Sequence, residues 1–234
     1  LVEKSFTANA LQAQELLSLA ADKKVLLAEA IWTRYMPSRK IIADLLASGA
    51  IGRFTTLNAT FSVPIHEIPR MHDPSLCGGA LLDLGVYVLT TASMYFGDEI
   101  IKTDSSCSLY PTGVDATDNI TLTYEDGKKA VLHASMTEES YDCVKICGSI
   151  GYLTWESNNN PRNIELHSSD GFLLQKISVP EQINGYEYEI LACKRAIEDG
   201  KTECEDMPHA ETLTIMKQMD SLRQEWGIKY PFEL

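Results

Sequence analysis

Apolar residues in the first thirty positions fall into two short runs with a helical pattern between them. The chain opens on Leu1-Val2, and the second run occupies residues 25–28. Between the two runs, residues 8–22 carry leucine and alanine at helical spacing. Strand, helix and strand in this order are typical of a parallel α/β sheet. Residues 1–30 are therefore predicted to be the end of a doubly wound domain, and residues 31–234 to form a second domain.

Residues 37–97 predict a helix, a strand and a second helix. Pro37 suits the first turn of the first helix, and Gly49 suits the position just beyond its end. A loop separates the strand from the second helix, which is the most apolar of the chain and stops before Gly97. The three elements are assigned to residues 38–48, 53–63 and 80–96.

A different pattern occupies residues 99–179, where short alternating segments are separated by turn residues. Such segments predict hairpins and therefore a mostly antiparallel sheet. Six strands are assigned to residues 119–124, 129–135, 144–147, 152–156, 163–167 and 172–178, followed by helices at 186–198 and 209–225. The predicted fold class is α+β: a large, predominantly antiparallel sheet with helices on one face, preceded by a βαβ remnant at the N-terminus.

Composition narrows the class of partner. The 234 residues carry a net charge of -13 and form no basic stripe, which argues against a nucleic-acid partner. No apolar run approaches the ~20 residues of a membrane-spanning helix, and residues 1–17 lack the pattern of a signal peptide. A cytoplasmic protein with no membrane partner is therefore expected. Because the chain begins on an apolar pair and not on Met, it is also expected to be part of a longer polypeptide.

The six cysteines are expected to be reduced thiols, because the chain is long enough for a full apolar core and shows no secretion signal. Cys143 and Cys147 lie four apart in a segment, residues 141–147, that reads as a strand, so they face the same side. This spacing differs from that of a zinc-binding CxxC hairpin. No metal site is predicted, and the thiols are interpreted as small buried hydrophobes.

The helix at residues 80–96 carries two polar side chains in its first half. Asp83 and Tyr87 are four residues apart and share one face. Gly78 and Gly79 precede the helix and allow other groups to approach its backbone closely. Because a buried carboxylate needs a partner, the pattern alone favours a hydrogen-bond anchor for Asp83 and a core aromatic for Tyr87 over a functional role.

Two further candidates follow the predicted strands. Lys4 comes at the end of the first strand, where open α/β sheets bind ligands, although a lone lysine there is more often a solvated charge. Trp32 and Arg34 come just after the second strand. These two side chains either line a site for a hydroxylated ring or sugar, or form an interdomain seam in which Trp32 is packed and Arg34 is paired.

Three of these motifs together resemble a known family. Glu3-Lys4 before a helix resembles the Glu-Lys-Pro motif of the glucose–fructose oxidoreductase and inositol dehydrogenase (Gfo/Idh/MocA) family. Residues 29–37 and 78–87 resemble segments of its dimeric dihydrodiol dehydrogenase and D-xylose dehydrogenase branch. The resemblance covers essentially the whole chain in order. It implies that residues 1–30 end a dinucleotide-binding Rossmann domain and that residues 31–234 form a substrate-binding and oligomerisation domain.

The resemblance implies a dehydrogenase that uses NAD or NADP to transfer a hydride to or from a sugar, polyol or cyclic diol. Tyr87 would be the general acid or base on the substrate oxygen, and the Lys4 ammonium would lower its pKa from the usual ~10. Asp83 would orient the substrate or this catalytic pair. The implied residues on the cofactor side are Glu3, Lys4, Trp32 and Arg34, with a dimer seam as the alternative for Arg34. A homodimer through the open sheet face is also implied.

Two departures from the family pattern keep other interpretations open. Ser5 stands where the family usually has a proline that fixes the turn after the lysine, often in the cis form. The chain has no G-x-G-x-x-G motif, so the phosphate-binding turn is expected upstream of Leu1 and the chain alone is expected to be inactive. The alternatives are a catalytically silent binding or regulatory homologue, and a dimerisation module.

Overall fold

The computed structural model describes residues 1–140 and 142–233, which form two compact units. The terminal unit contains residues 1–36 and 182–234, and the sheet unit contains residues 37–181. Residues 182–234 therefore cluster with the N-terminal segment, although the sequence placed them in one domain with the sheet. The assignment of residues 1–30 to a Rossmann domain stays a prediction.

The terminal unit contains the predicted strand, helix and strand. β1 (Val2–Glu3) pairs in parallel with β2 (Glu29–Ala30). The helices are α1 (Ala10–Lys23), α5 (Glu187–Glu198) and α6 (His209–Trp226), with 3-10 turns at Trp32–Tyr35 and Pro231–Glu233. α6 packs on α1, and α5 packs on the first 3-10 turn. The second strand lies at residues 29–30 and not at the predicted 25–28, because Val25 is half-exposed and the Leu27 N–H donates to the Thr202 carbonyl.

Arg223 ties the two ends of the terminal unit together. Its guanidinium lies 2.8 Å from a carboxylate oxygen of Glu233 and 2.9 Å from one of Asp220. Asp220 also accepts the backbone N–H of Ala10 at the start of α1, at 2.8 Å. The hydrogen bonds from Arg223 lower the pKa of Glu233 to about 2. This network fixes α1 against the end of the chain.

The sheet unit is an eight-stranded, mostly antiparallel sheet with helices. The strands are β3 (Phe54–Ser62), β4 (Ile100–Leu109), β5 (Asp115–Tyr124), β6 (Lys129–Ser135), β7 (Cys143–Gly148), β8 (Gly151–Glu156), β9 (Asn163–Ser168) and β10 (Leu173–Ser178). The helices are α2 (Pro37–Ala47), α3 (Pro69–His72) and α4 (Val86–Phe96), with a 3-10 turn at Pro74–Leu76 and a π-helical turn at Leu81–Gly85. The strand order is β10-β9-β8-β7-β3-β6-β5-β4, and within this sheet β3 and β6 are the only parallel neighbours among the described strands. The predicted fold class is confirmed.

One strand of this sheet was missed. β4 is an edge strand that pairs with β5 alone among the described strands, and most of its residues are exposed. Its sequence, rich in serine with a lysine and an aspartate, has no apolar alternation because neither face of an edge strand here is deeply buried. The predicted strand at residues 141–147 begins at Cys143, and Tyr141 lies outside the described residues.

α4 covers one face of the sheet. It packs on β3 and β6, whose side chains on this face, among them Leu57 and Phe61, are buried. The sequence analysis found no apolar run of membrane-spanning length, but the segment Pro74–Phe96 is long and apolar enough to cross a membrane, and 78% of its most apolar window is buried within the protein. Such burial is expected of a helix that packs on a sheet and forms part of the core.

The cysteines differ from the interpretation as buried hydrophobes. All six are free thiols, and of these Cys204 alone is buried. Cys143 and Cys147 occupy the less buried face of β7, where Val144 and Ile146 take the inner positions. The alternation of a strand explains the difference, because residues four apart share a face and that face is here the outer one.

Candidate active site

Tyr87 lies at the start of α4, directly after the π-helical turn. The sequence predicted one continuous helix over residues 80–96, but residues Leu81–Gly85 take the wider turn. Single π-helical turns inside α-helices occur frequently at functional sites. Asp83 lies within this turn, so the two predicted side chains flank the point where the helix changes its winding.

The glycines before the turn let a buried carboxylate reach the backbone. Asp115, at the start of β5, is fully buried and accepts the Leu81 N–H at 2.5 Å. A Cβ on Gly79 would overlap this carboxylate, and Gly79 has a φ of 128°. The carboxyl of Asp118 lies beside that of Asp115, and burial raises the pKa of both groups. Of the two acids, Asp115 anchors the π-helical turn to the sheet through the Leu81 N–H.

The ring of Tyr87 is held by the sheet. It is 7% exposed and meets the ring of Phe61 on β3 edge to face, with 5.2 Å between the ring centres. Edge-to-face packing restricts the direction in which an aromatic ring can point. Tyr87 is therefore an oriented side chain, which a proton-transfer residue needs to be.

Asp83 is bound by an arginine that the sequence analysis did not single out. Arg70 on α3 places its two terminal nitrogens 3.0 Å and 3.4 Å from the two carboxylate oxygens of Asp83. The side chain of Asp83 is 14% exposed and that of Arg70 is 56% exposed. The partner that the buried carboxylate required thus comes from the proline-rich loop. Arg70 lies in a loop, two residues before His72, and no helical or strand periodicity there marks it as a partner of Asp83.

Glu3 and Lys4 lie at the end of β1. Glu3 is exposed, Lys4 is half-buried, and the peptide bond between Lys4 and Ser5 is cis. Because β1 and β2 are parallel, Lys4 and the residues after Ala30 leave the same edge of the small sheet. This is the edge at which open α/β sheets bind nucleotides.

Trp32 follows β2 at that edge. Its ring is 8% exposed and stacks on Tyr186 with 4.6 Å between ring centres. The indole Nε1 is buried and has no hydrogen-bond partner among the described residues. A buried donor without a partner is rare in native proteins and fits a bound polar group. The residues at this edge therefore fit a nicotinamide dinucleotide.

Arg34 is paired within the terminal unit. Its guanidinium lies 2.6 Å from a carboxylate oxygen of Glu211, and its Nε donates to the Asp206 carbonyl at 2.9 Å. The side chain is 8% exposed. This arrangement matches the paired interpretation of Arg34 more closely than that of a pocket residue.

Glu29 is a buried acid that sequence reasoning also missed. Burial raises its pKa to about 7, although hydrogen bonds from Thr212 and the Phe6 backbone act in the opposite direction. Its own carbonyl accepts the hydroxyl of Tyr35 at 2.7 Å. A single glutamate in an apolar strand looks like any other strand-end charge, so only its burial distinguishes it.

Metal ligands and cavities add little to this site. Within residues 1–140 and 142–233, no group of three or more His, Cys, Asp or Glu side chains could hold a metal ion. A polar cavity of about 220 Å³ lies in the sheet unit at the β8–β10 end. It is lined by Thr154, Trp155, Glu156, Ser157, Asn160, Arg162, Asn163, Glu165 and Lys176. None of the predicted site residues lines this cavity.

Comparison with known proteins identifies the family. The family description "GFO/IDH/MocA C-terminal domain" matches residues 40–154. The trans-1,2-dihydrobenzene-1,2-diol dehydrogenase of Xenopus tropicalis is 30% identical over 241 residues, which cover 99% of this chain and 72% of the frog protein. The chain belongs to the GFO/IDH/MocA family. The predicted family and the predicted enzyme class, an NAD(P)-dependent oxidoreductase, are confirmed.

Two further proteins are similar to nearly the whole of this chain. The NADP(+)-dependent scyllo-inositol 2-dehydrogenase of Bacillus subtilis is 30% identical, over 99% of this chain and 71% of its own length. The crystal structure of a 3-ketoreductase from Actinomadura kijaniata has a TM-score of 0.86 at 23% identity, over 96% of this chain and 70% of that protein. The structural similarity shows a shared fold.

Proposed function

We propose that this protein is an NADP-dependent dehydrogenase of a sugar, a polyol or a cyclic diol. The observation that carries the proposal is an oriented Tyr87 one turn after the Asp83–Arg70 pair in a member of this family. The similar enzymes from Bacillus subtilis and Hypocrea jecorina are NADP(+)-dependent and act on scyllo-inositol and D-xylose. The cofactor and the substrates of these two relatives favour NADP over NAD for this protein, and a hydroxylated carbon as the reacting centre.

Tyr87 moves the proton in the proposed reaction. A nicotinamide bound at this site would supply or accept the hydride. The Tyr87 hydroxyl gives a proton to the carbonyl oxygen during reduction and takes it back during oxidation. A positive charge nearby favours the phenolate form, and the family resemblance assigns this task to Lys4. Asp83 orients the substrate.

The cofactor side of the proposal rests on the edge where β1 and β2 end. Glu3 and Lys4 follow β1, and Trp32 brings a buried Nε1 donor to the same edge. Arg34 acts through the turn that carries Trp32, because its guanidinium is bound to Glu211. Each of these assignments is tested by cofactor affinity.

The experiment is a substrate screen with the full-length protein, followed at the absorbance band of reduced nicotinamide. NAD and NADP are each supplied with a panel of aldoses, inositols and trans-diols. We expect turnover with NADP and with at least one substrate that carries adjacent hydroxyls. Tight NADP binding without turnover of any member would contradict the proposal and favour a silent binding homologue.

We also propose that the protein is a cytoplasmic homodimer that pairs through the sheet face opposite α4. This face presents side chains such as Asn58, Val131 and His133, and Val131 is 43% exposed. Light scattering should show a dimer that Val131→Asp weakens. A monomer at all concentrations would contradict this assembly.

A further inference from the structure

Two cysteines of the terminal unit lie side by side. Cys193 belongs to α5, and Cys204 lies in the segment that follows this helix. Their sulfur atoms are 3.7 Å apart, and both are free thiols. At this distance the two atoms are in van der Waals contact, so no other atom lies between them. The pair therefore has the proximity that a reaction between the two sulfurs requires.

The remaining gap is small on the scale of a side-chain movement. A disulfide has a sulfur–sulfur distance of about 2.05 Å, so the two atoms must approach by about 1.7 Å. Cys204 lies outside the regular helices and strands, in a turn where its carbonyl accepts the Met207 N–H at 3.2 Å. Its backbone can adjust more readily than that of a residue inside a helix. Cys143 and Cys147 offer no such approach, because residues four apart on a strand are separated by about 13 Å.

Oxidation is the chemistry that fits this pair, since a metal ion would need more ligands. In the described part of the chain, no three His, Cys, Asp or Glu side chains form a group that could hold a metal ion. Two adjacent thiols without further ligands can still be joined by a disulfide. In a reducing compartment such disulfides are usually transient and respond to the supply of oxidant.

The two thiols differ in their access to solvent. Cys193 is part-exposed, whereas Cys204 is 1% exposed. Burial, together with the neighbouring Cys193, raises the pKa of the Cys204 thiol to about 12. The thiolate is the nucleophile in disulfide exchange, and a reagent from solution must also reach the sulfur. Cys193 is therefore the thiol that reacts first, and Cys204 is the thiol that resolves the intermediate.

The pair joins two segments that hold the same turn. α5 packs on the 3-10 turn Trp32–Tyr35. The segment after α5 holds this turn as well, because the Nε of Arg34 donates to the carbonyl of Asp206 at 2.9 Å. Asp206 lies two residues after Cys204. A bond between the two sulfurs would therefore clamp the turn from both of its supports.

We propose that Cys193 and Cys204 form a reversible oxidation site, at which a small-molecule disulfide converts the two thiols to an intrachain disulfide that clamps the turn Trp32–Tyr35. The inference goes beyond the proposed function, because the reaction needs neither a nicotinamide cofactor nor a substrate of the dehydrogenase. It assigns a modification site to a part of the terminal unit that has no role in the proposed hydride transfer.

The reaction consists of two exchange steps. The Cys193 thiol loses its proton to water, and the thiolate attacks one sulfur of the small disulfide, whose other half leaves as a thiolate and takes up a proton. The Cys204 thiol then loses its proton and attacks the Cys193 sulfur, which releases the second half in the same way. Two protein thiols are oxidised by two electrons in all, and one small disulfide is reduced to two thiols.

The test treats the full-length protein with excess glutathione disulfide, blocks the remaining thiols by alkylation and maps the peptides by mass spectrometry. The wild type should lose the thiols of Cys193 and Cys204 together and give one cross-linked pair of peptides, which dithiothreitol separates again. Cys204→Ala should stop at a glutathione adduct on Cys193. Cys143 and Cys147 are the matched pair within the same protein and should form no bond with each other.

Amide hydrogen exchange measures what the bond does to the turn. In the oxidised wild type, exchange of residues 32–36 should slow by about tenfold or more, which is within the stabilisation that a disulfide usually gives. Cys204→Ala with its glutathione adduct carries the modification without the bond, so its exchange at these residues should not slow. Exchange in the sheet unit is the internal reference and should be the same before and after oxidation.

Two results would overturn the inference. The first is a wild type that keeps both thiols under excess glutathione disulfide, or that stops at an adduct on Cys193 without forming the bond to Cys204. The second is a disulfide between Cys193 and Cys204 that leaves the exchange of residues 32–36 unchanged, because the bond would then not clamp the turn. Neither readout depends on turnover, so a failure of the proposed dehydrogenase activity leaves this test intact.

Discussion

The carboxylate of Asp115 occupies the space that a side chain on Gly79 would need. The same carboxylate accepts the Leu81 N–H, the first of the π-helical turn. The start of β5 and the start of the π-helical turn are thus joined by one buried acid. The turn that precedes Tyr87 depends on this contact.

Gly79→Ala should therefore destabilise the sheet unit. The new methyl group meets the Asp115 carboxylate, and the φ of 128° disfavours any L side chain. We expect a loss of about 2 kcal/mol or more in the free energy of unfolding, measured by urea denaturation.

Gly113→Ala is the matched control for this substitution. Gly113 also has a positive φ, 93°, but a Cβ there meets nothing within 4 Å. It should cost about 1 kcal/mol, the backbone contribution alone. Equal losses for the two variants would show that the Asp115 contact does not matter.

The raised pKa of Glu29 predicts how the free energy of unfolding changes with pH. Its pKa is about 7 in the folded protein and 4.5 in an unfolded chain. Between these values the folded state holds the extra proton, so the free energy of unfolding falls as pH rises from 4.5 to 7. This difference between the folded and unfolded pKa corresponds to a fall of about 3 kcal/mol in the free energy of unfolding. Glu29→Gln cannot ionise and should remove this fall.

The comparison is made by urea denaturation at pH 5 and pH 8. Burial also raises the pKa of Glu189 to about 7, so part of the pH dependence should remain in Glu29→Gln. Glu189→Gln serves as the parallel variant, and the double variant should lose both contributions, while the contribution of the other buried acids, Asp115 and Asp118 among them, remains. An unchanged slope in Glu29→Gln would mean that Glu29 is ionised throughout.

The lowered pKa of Glu233 predicts a contribution to the free energy of unfolding that changes with pH in the opposite direction. Its hydrogen bonds with Arg223 lower its pKa from 4.5 to about 2. The stability that this pair contributes is present above pH 4.5 and is lost as pH falls through 2. Glu233→Gln should therefore lower the unfolding free energy at pH 7 and have little effect near pH 2. Thermal unfolding of Glu233→Gln and the wild type between pH 2 and pH 7 measures this effect. A difference between the two proteins that does not change with pH would contradict the pairing of Glu233 with Arg223.

Sequence patterns predicted the parts of the fold that depend on burial. α4 was found because nearly all its residues are buried, and the hairpins from β5 to β10 because turn residues punctuate them. β4 was missed because an exposed edge strand has no apolar alternation. The helix pattern singled out Tyr87 and Asp83, and the family motifs gave them their proposed roles. The bond from Arg70 to Asp83 joins residues 13 apart across a glycine turn, and no local pattern encodes such a contact.

Trp32 provides a test of cofactor binding that does not depend on turnover. Its Nε1 lacks a partner among the described residues, so Trp32→Phe costs the cofactor-free protein no hydrogen bond, only the packing lost with the smaller ring. The phenyl ring can still stack on Tyr186. The affinity for NADP, measured by calorimetry, should fall about tenfold. Trp155→Phe in the sheet unit should leave it unchanged, and equal affinities for both variants would contradict the assignment.

The most direct test of the account is the turnover number of Tyr87→Phe in the full-length protein, with Tyr95→Phe on the same helix as the control. The substitution removes one hydroxyl and keeps the ring that packs on Phe61. We expect kcat to fall about 100-fold or more, while KM and NADP affinity stay near their wild-type values and Tyr95→Phe remains active. A Tyr87→Phe enzyme with kcat within about threefold of the wild type, well short of that loss, would contradict the assignment of proton transfer to Tyr87.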